Sequence, residues 1–433
     1  MRHNNLVKLK CITVAMLMIC IVVVLMGCRK IEENQKVRII LMSGWGGATQ
    51  DHIAMREIYD EFNKQNPDIE LVLDTSSDLN IVLEKAKDML AVDKMPNIIS
   101  TNGNADLVKF AIRKGYATDL MPYIEEDSEF AACIPEEVYK NWEDNGKLYT
   151  IPDVIEMSGY WYNKSIFREA GIDKVPETWN EFWDVCEAID TWSEANGNGV
   201  VPVLMESSQA TFAFLGARIA GDSSAGTALM SDIPKKFNHT LLEDALNDLI
   251  RIYHYSKSQK ATLGPNDSLN AFNKGKAAMY FNGVWANALI SDKIEAGAAN
   301  YPGYNSKSTA YVSASSGYLI GNTEGEEKVE ASIRFLKYML SDEVQYKILT
   351  QTKQVPSNPK ANYEDYMNSM PLLTEAINTI GKAEIKINTI RTAWGDGFVT
   401  IIQDNIEQLI NGEITPHQLL QELEEESNKT QYR

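Results

Sequence analysis

The sequence predicts an α/β protein of two domains. Its length, the alternation of strand and helix patterns near its start, and the return of that alternation in its second half all point there. The first 27 of the 433 residues read as a leader, and removing them leaves 406. A single hydrophobic core seldom grows beyond about 250–300 residues, so a chain of this length divides.

Val37, Ile39 and Leu41 alternate with Arg38, Ile40 and Met42 as a mostly buried first strand. Ser43-Gly44-Trp45-Gly46-Gly47 breaks it, and Ile53, Ile58, Tyr59 and Phe62 follow at helical spacing until Asn66-Pro67. A second strand, Ile69 to Leu73, ends at Asp74. A helix from Asn80 to Val92 leads to a third strand, Asn97 to Ser100, and a polar loop through Asn102 and Asn104. That order is the signature of an open parallel sheet. In the second half Thr178 and Glu181 form a capping box for a helix running to Ser193, with Phe182, Val185, Cys186 and Ile189 on one face. Val200 to Leu204 is a short strand, and Ile333 to Leu340 and Ile401 to Ile410 are amphipathic helices. Thr415-Pro416 opens the last helix, and the charged tail from Glu422 is expected to fray.

At the start, Arg2, Lys8 and Lys10 precede an apolar run, Cys11 to Met26, interrupted only by Thr13. The run is short for a bilayer-spanning helix of roughly 20 residues. Its charge order is that of a secretory leader. It ends in Leu25-Met26-Gly27-Cys28, which resembles a bacterial lipobox and implies cleavage before Cys28 and a lipid on its sulfur. An uncleaved anchor helix is the other reading; both place the remaining chain outside the cytoplasm. Residues 1–27 are thus expected to be a signal peptide and 28–36 a tether to the extracellular face of the membrane.

Removing the leader's three cations from the chain's −19 leaves a net charge of about −22. Such acidity disfavours nucleic acid and anionic headgroups as partners. The five histidines are scattered, without metal-ligand spacing, and no metal site or cofactor is expected. Cys133 and Cys186 remain after processing; a disulfide between them is chemically open, but it would tie together domains expected to move.

Two segments carry a family pattern. Gly146-Lys147-Leu148-Tyr149-Thr150-Ile151-Pro152 is followed by Tyr162-Asn163-Lys164-Ser165-Ile166-Phe167, Ala170-Gly171 and Pro176-Glu177-Thr178-Trp179-Asn180-Glu181-Phe182. Farther on stands Phe272-Asn273-Lys274-Gly275-Lys276-Ala277-Ala278-Met279, closing in Gly283-Val284-Trp285. This ordered series resembles family 1 extracellular solute-binding proteins, the receptors of sugar-importing ABC transporters. The resemblance implies a two-lobed periplasmic-binding-protein-like fold (type II), each lobe a mixed or parallel sheet flanked by helices, with three hinge crossovers. Lobe I would hold residues 37–151 and 317–357, and lobe II residues 152–316 and 358–433. It further implies a monomer without catalytic activity whose partners are a carbohydrate, the permease subunits and, through Cys28, the membrane.

Open α/β sheets bind ligands at the carboxyl ends of their strands. On that rule the expected ligand residues are Trp45, Asp74, Asn102, Asn104, Asp153 beyond the first crossover, Glu206, Trp285 and Tyr318 at the second crossover. Trp394 joins them because it falls where sugar-binding relatives stack a tryptophan. Indole rings cover the apolar face of a pyranose, and Asp, Glu and Asn supply directed partners for its hydroxyls. Packing competes with these roles. Trp179, Trp183 and Trp192 read as core, Trp161 as core or cleft, and Asp74 or Asp153 could simply cap helices. Two other functions stay open: the same receptor for a polyamine, peptide or other non-sugar solute, and a secreted glycoside hydrolase. No G-x-S-x-G or H-E-x-x-H motif favours an enzyme.

Overall fold

The computed structural model describes residues 36–101, 104–205, 208–237, 239–257, 265–314, 317–361 and 363–431. The expected leader and Cys28 lie outside these residues, as do Asn102 and Glu206.

The chain begins in β1 (Val37–Ser43), which pairs in parallel with β2 (Ile69–Thr75) on one side and β3 (Ile98–Ser100) on the other. A strand inside a parallel sheet is covered on both faces, which explains the near-continuous apolar run of β1. Between β1 and β2 lies α1 (Gln50–Gln65), whose Ala54, Met55, Ile58, Tyr59 and Phe62 repeat at helical period and are buried. Next come α2 (Leu79–Ala91), capped by the Asp78 side chain on Asn80 N, and α3 (Ala105–Arg113), capped by Asn104. The first crossover runs from β4 (Thr150–Ile151) into β5 (Val154–Ser158).

The second body follows with β6 (Tyr160–Asn163) and α4 (Trp179–Asn196), where both halves of the expected capping box are formed. Then come β7 (Val201–Met205), α5 (Ser208–Ala220), α6 (Thr240–Tyr255), the wholly buried β8 (Ala277–Phe281) and β9 (Ala296–Ala299). Strand β10 (Thr309–Ala314) leads back to β11 (Tyr318–Ile320) and α7 (Glu326–Met339) in the first body. The third crossing passes through β12 (Val355–Pro356) to β13 (Ile385–Ile387), α8 (Ile390–Trp394), α9 (Asp396–Ile410) and α10 (Pro416–Gln431).

Three main sheets result. Lobe I has the order β2-β1-β3-β11-β4, and lobe II has β9-β6-β8-β7. The third, β12-β5-β10-β13, gathers strands from all three crossings side by side. Each face of the lobe I sheet has its own apolar cluster, one around Ile39, Leu41 and Phe62 and the other around Met42, Leu90 and Ile99. Lobe II has a larger cluster around Phe182, Phe214, Phe281 and Tyr301.

Several expectations change. Strand β2 runs through Asp74 to Thr75, so Asp74 belongs to the strand and not to the loop beyond it. The tail does not fray at Glu422: α10 continues to Gln431, with Leu423 and Ser427 buried against lobe II. Trp161 is core, its indole N–H donating to Gly283 O at 3.1 Å. Tyr301 is buried in the lobe II cluster. Cys133 and Cys186 are both free thiols.

Candidate functional site

On lobe I the Gly44–Gly47 loop holds Trp45 half-buried. Arg56 on α1 donates to the carbonyls of Trp45 at 2.5 Å and Gly47 at 2.8 Å, while Gly47 N donates to His52 Nδ1 at 2.9 Å. The His52 ring meets the indole edge-on, centroids 5.0 Å apart. A loop pinned this way presents its indole without a large ordering cost. Asp74 is paired with Lys85 at 2.5 Å. Asn104 is 1 % exposed, and both ends of its amide are engaged. Its Oδ1 accepts from Leu107 N at 2.9 Å, and its Nδ2 donates to Asp396 on the other lobe at 2.8 Å.

The crossovers meet at Asp153. Tyr318 of the second crossover donates its hydroxyl to Asp153 Oδ2 at 2.8 Å, and Tyr59 of α1 lies 3.0 Å from Tyr318 Oη. Since Tyr318 has one proton, Tyr59 is the donor in that second bond. Ser357 N of the third crossover and Gln345 Nε2, from the helix before it, both donate to Asp153 O, at 3.1 and 2.9 Å. Ser357 Oγ donates to Pro152 O at 2.8 Å. Gly317 sits at φ +55°, and a Cβ there would lie 2.2 Å from Pro152 Cα, so the first two crossovers touch through backbone alone. Burial pushes the Asp153 carboxyl up to about 6, against the opposing pull of the Tyr318 hydroxyl. Burial also raises the Tyr59 and Tyr318 phenols, with the Asp153 charge adding to each, which keeps both protonated as donors. Asp153 and Tyr318 were expected at the ligand; here they bond to each other and tie the crossings together.

On lobe II, Trp285 stands half-buried in a single 3-10 turn, Val284–Ala288, with its ring folded over Gly283. An isolated bridge joins Gly283 to Ser158 at the end of β5. Trp394 departs from the sequence expectation. It is 3 % exposed, its Nε1 donates to Leu229 O at 2.9 Å, and it meets Phe237 and Phe398 edge-on in the lobe core. Its apolar surroundings make it a packing residue in this conformation.

Sequence reasoning missed a polar row on the shared sheet. Glu156 of β5 pairs across the ladder with Ser313 of β10, and Tyr311 donates its hydroxyl to Glu156. Ser313 Oγ donates to Asn388, directly after β13, at 3.0 Å. Burial raises the Glu156 carboxyl despite the Tyr311 hydrogen bond. Strands β10 and β13 are parallel, so this row lies toward their carboxyl ends, where β10 crosses back to lobe I. The signal was present as one acid inside an apolar strand, Val154-Ile155-Glu156-Met157. Among the described residues no group of three or more His, Cys, Asp or Glu could hold a metal ion. Nor is any described helix long and apolar enough to cross a membrane.

The sequence profile described as bacterial extracellular solute-binding protein matches residues 57–375. The chain belongs to that family. This solute-binding protein is 26% identical over 336 residues to the multiple sugar-binding protein of Streptococcus mutans, covering 73% of this chain and 75% of that one. It is 25% identical over 228 residues to the maltooligosaccharide ABC transporter solute-binding lipoprotein of Streptococcus pneumoniae, covering 50% and 51%. A solved Streptococcus pneumoniae solute-binding protein in complex with the blood group A-trisaccharide superposes with a TM-score of 0.77. That match is 25% identical and covers 90% of this chain and 98% of the other. The two-lobed fold with its three crossovers is therefore that of this family.

Proposed function

We propose that this solute-binding protein captures a carbohydrate between its lobes and delivers it to the membrane subunits of an ABC importer, tethered through a lipid on Cys28. One observation carries the reading: each lobe contributes a half-buried tryptophan from a fixed loop or turn, Trp45 on lobe I and Trp285 on lobe II. Flat rings on separate bodies suit the two faces of a pyranose. The Glu156, Ser313 and Asn388 row of the shared sheet supplies directed hydroxyl partners. Once water is excluded, an unmatched sugar hydroxyl costs about 1–3 kcal/mol, which gives stereochemical selection. The names of the relatives support a saccharide.

A solute touching both lobes stabilises the closed form by its differential contacts. The movement would occur about residues 151–154, 314–318 and 352–358, dividing the chain into 37–151 with 317–357 and 152–316 with 358–433. The test is a thermal-shift panel of mono- and oligosaccharides, polyamines and peptides, with product analysis of each mixture. A sugar at about 100 times its dissociation constant adds about 2.7 kcal/mol of stability. Trp45→Ala and Trp285→Ala each reduce that shift while the unliganded protein stays folded. Shifts with polyamines and none with sugars would assign a cationic solute, and sugar cleavage would make the protein an enzyme.

A further inference from the structure

A second connection between the lobes involves no crossover residue. Asp396 is the first residue of α9, on lobe II. Its Oδ2 accepts from Asn104 Nδ2 at 2.8 Å and from Lys87 Nζ at 3.2 Å, both on lobe I. Its Oδ1 is held at 2.7 Å by Arg391 of α8, which fixes the carboxylate in place. In the opposite direction, the backbone N–H of Asp396 donates to Asp106 Oδ2 of α3 at 2.8 Å.

The arrangement is reciprocal. The amino ends of α3 and α9 face each other, two like partial charges that would repel. Asp106 accepts the first backbone N–H of α9, Asp396 accepts from the Asn104 cap of α3, and Lys87 and Arg391 both pair with Asp396. Gly395, immediately before α9, has φ +105° and ψ 171°, a conformation open essentially to glycine alone. A Cβ there would stand 3.2 Å from Asp106 Oδ2, so the bare backbone lets the carboxylate reach the helix end.

Resting on the proposed closure of the lobes, we infer that Asp106 and Asp396, with Lys87, Asn104 and Arg391, form a clasp that favours the closed conformation through protein contacts alone. Because it lies off the crossovers, rotation of the lobes apart must break it. It therefore sets the closed-to-open ratio on which solute affinity depends.

Small-angle X-ray scattering of the purified chain, without added solute and at low salt, tests this. Asp106→Ala lowers the closed-to-open ratio roughly tenfold or more, the effect of losing a charge-assisted hydrogen bond. Asp106→Asn, which keeps an acceptor, gives a smaller shift. Lys87→Met is an independent variant on another helix and moves the ratio in the same direction. Added salt at about 1 M, where the Debye length is about 3 Å, opens the wild type more than it opens Asp106→Ala. Wild-type scattering from folded Asp106→Ala and Lys87→Met, while oligosaccharides still contract the wild type, would overturn the clasp alone. If saccharides that raise the melting temperature leave the scattering of both the wild type and Asp106→Ala unchanged, the closure reading falls and the clasp falls with it.

Discussion

At the residue scale, Asp153 shows how a strand-end acid acquires a different role from the one its position suggests. Its carboxyl accepts from Tyr318 and its carbonyl from Ser357 and Gln345, so one residue joins three separated stretches of chain. The sequence marked Asp153 and Tyr318 as neighbours of the crossovers. It could not show that they bond to each other, because that depends on how two distant strands register. Tyr59 was legible only as a core position of α1. The raised carboxyl has a pH consequence. With a folded value of about 6 against about 3.8 unfolded, the folded state holds more protons between these limits. Stability from this group is fully present at the acid end and is lost as pH rises from about 4 to about 6. Asp153→Asn keeps an acceptor for Tyr318 but cannot ionise. Melting temperatures across this range are expected to slope less in the variant, and at pH 7, about one unit above the folded value, it gains about 1–3 kcal/mol. An unchanged slope would place the titration elsewhere.

At the scale of elements, amphipathic helices and strands inside the lobe sheets were readable because burial imposes a period on them. The buried face of α4, with Phe182, Val185, Cys186 and Ile189, is an example, while β8 was readable as an unbroken apolar run. The sheet shared by the crossings was not readable: β12 has two residues and β13 three, too few to show any alternation. Its existence is set by pairing at long range. The last helix was misread for a related reason. Glutamates dominate Glu422–Glu426, yet Leu419, Leu420 and Leu423 form one stripe against lobe II, and Ser427 Oγ donates to Pro234 O at 2.8 Å. The exposed acids hide the stripe in any average over composition. Leu423→Ala should therefore cost about 2–5 kcal/mol, as truncation of a packed core leucine does, and lower the denaturant midpoint without changing the slope. A midpoint equal to the wild type's would mean that α10 adds nothing to the lobe.

At the scale of the whole molecule, each lobe has a core of its own, and the two share one sheet, one clasp and an apolar cluster that packs Leu349 and Val355 with Trp161 and Leu373. Separate cores favour stepwise unfolding of a chain this large, whereas shared contacts couple the steps. The energetic question is whether solute adds to that coupling. A ligand held between Trp45 and Trp285 contacts both bodies, so melting either one releases it, and its binding free energy resists both transitions. A ligand resting on one lobe resists only the melting of that lobe. Scanning calorimetry distinguishes the cases. For a bridging saccharide, both transitions move to higher temperature as its concentration rises, and the gap between them narrows until they merge. Asp106→Ala, with the clasp weakened, begins from a wider gap and still merges at saturating sugar, because the ligand supplies the cross-lobe contact that the variant lacks. Movement of one transition alone would confine the solute to a single lobe and remove the physical basis for ligand-driven closure.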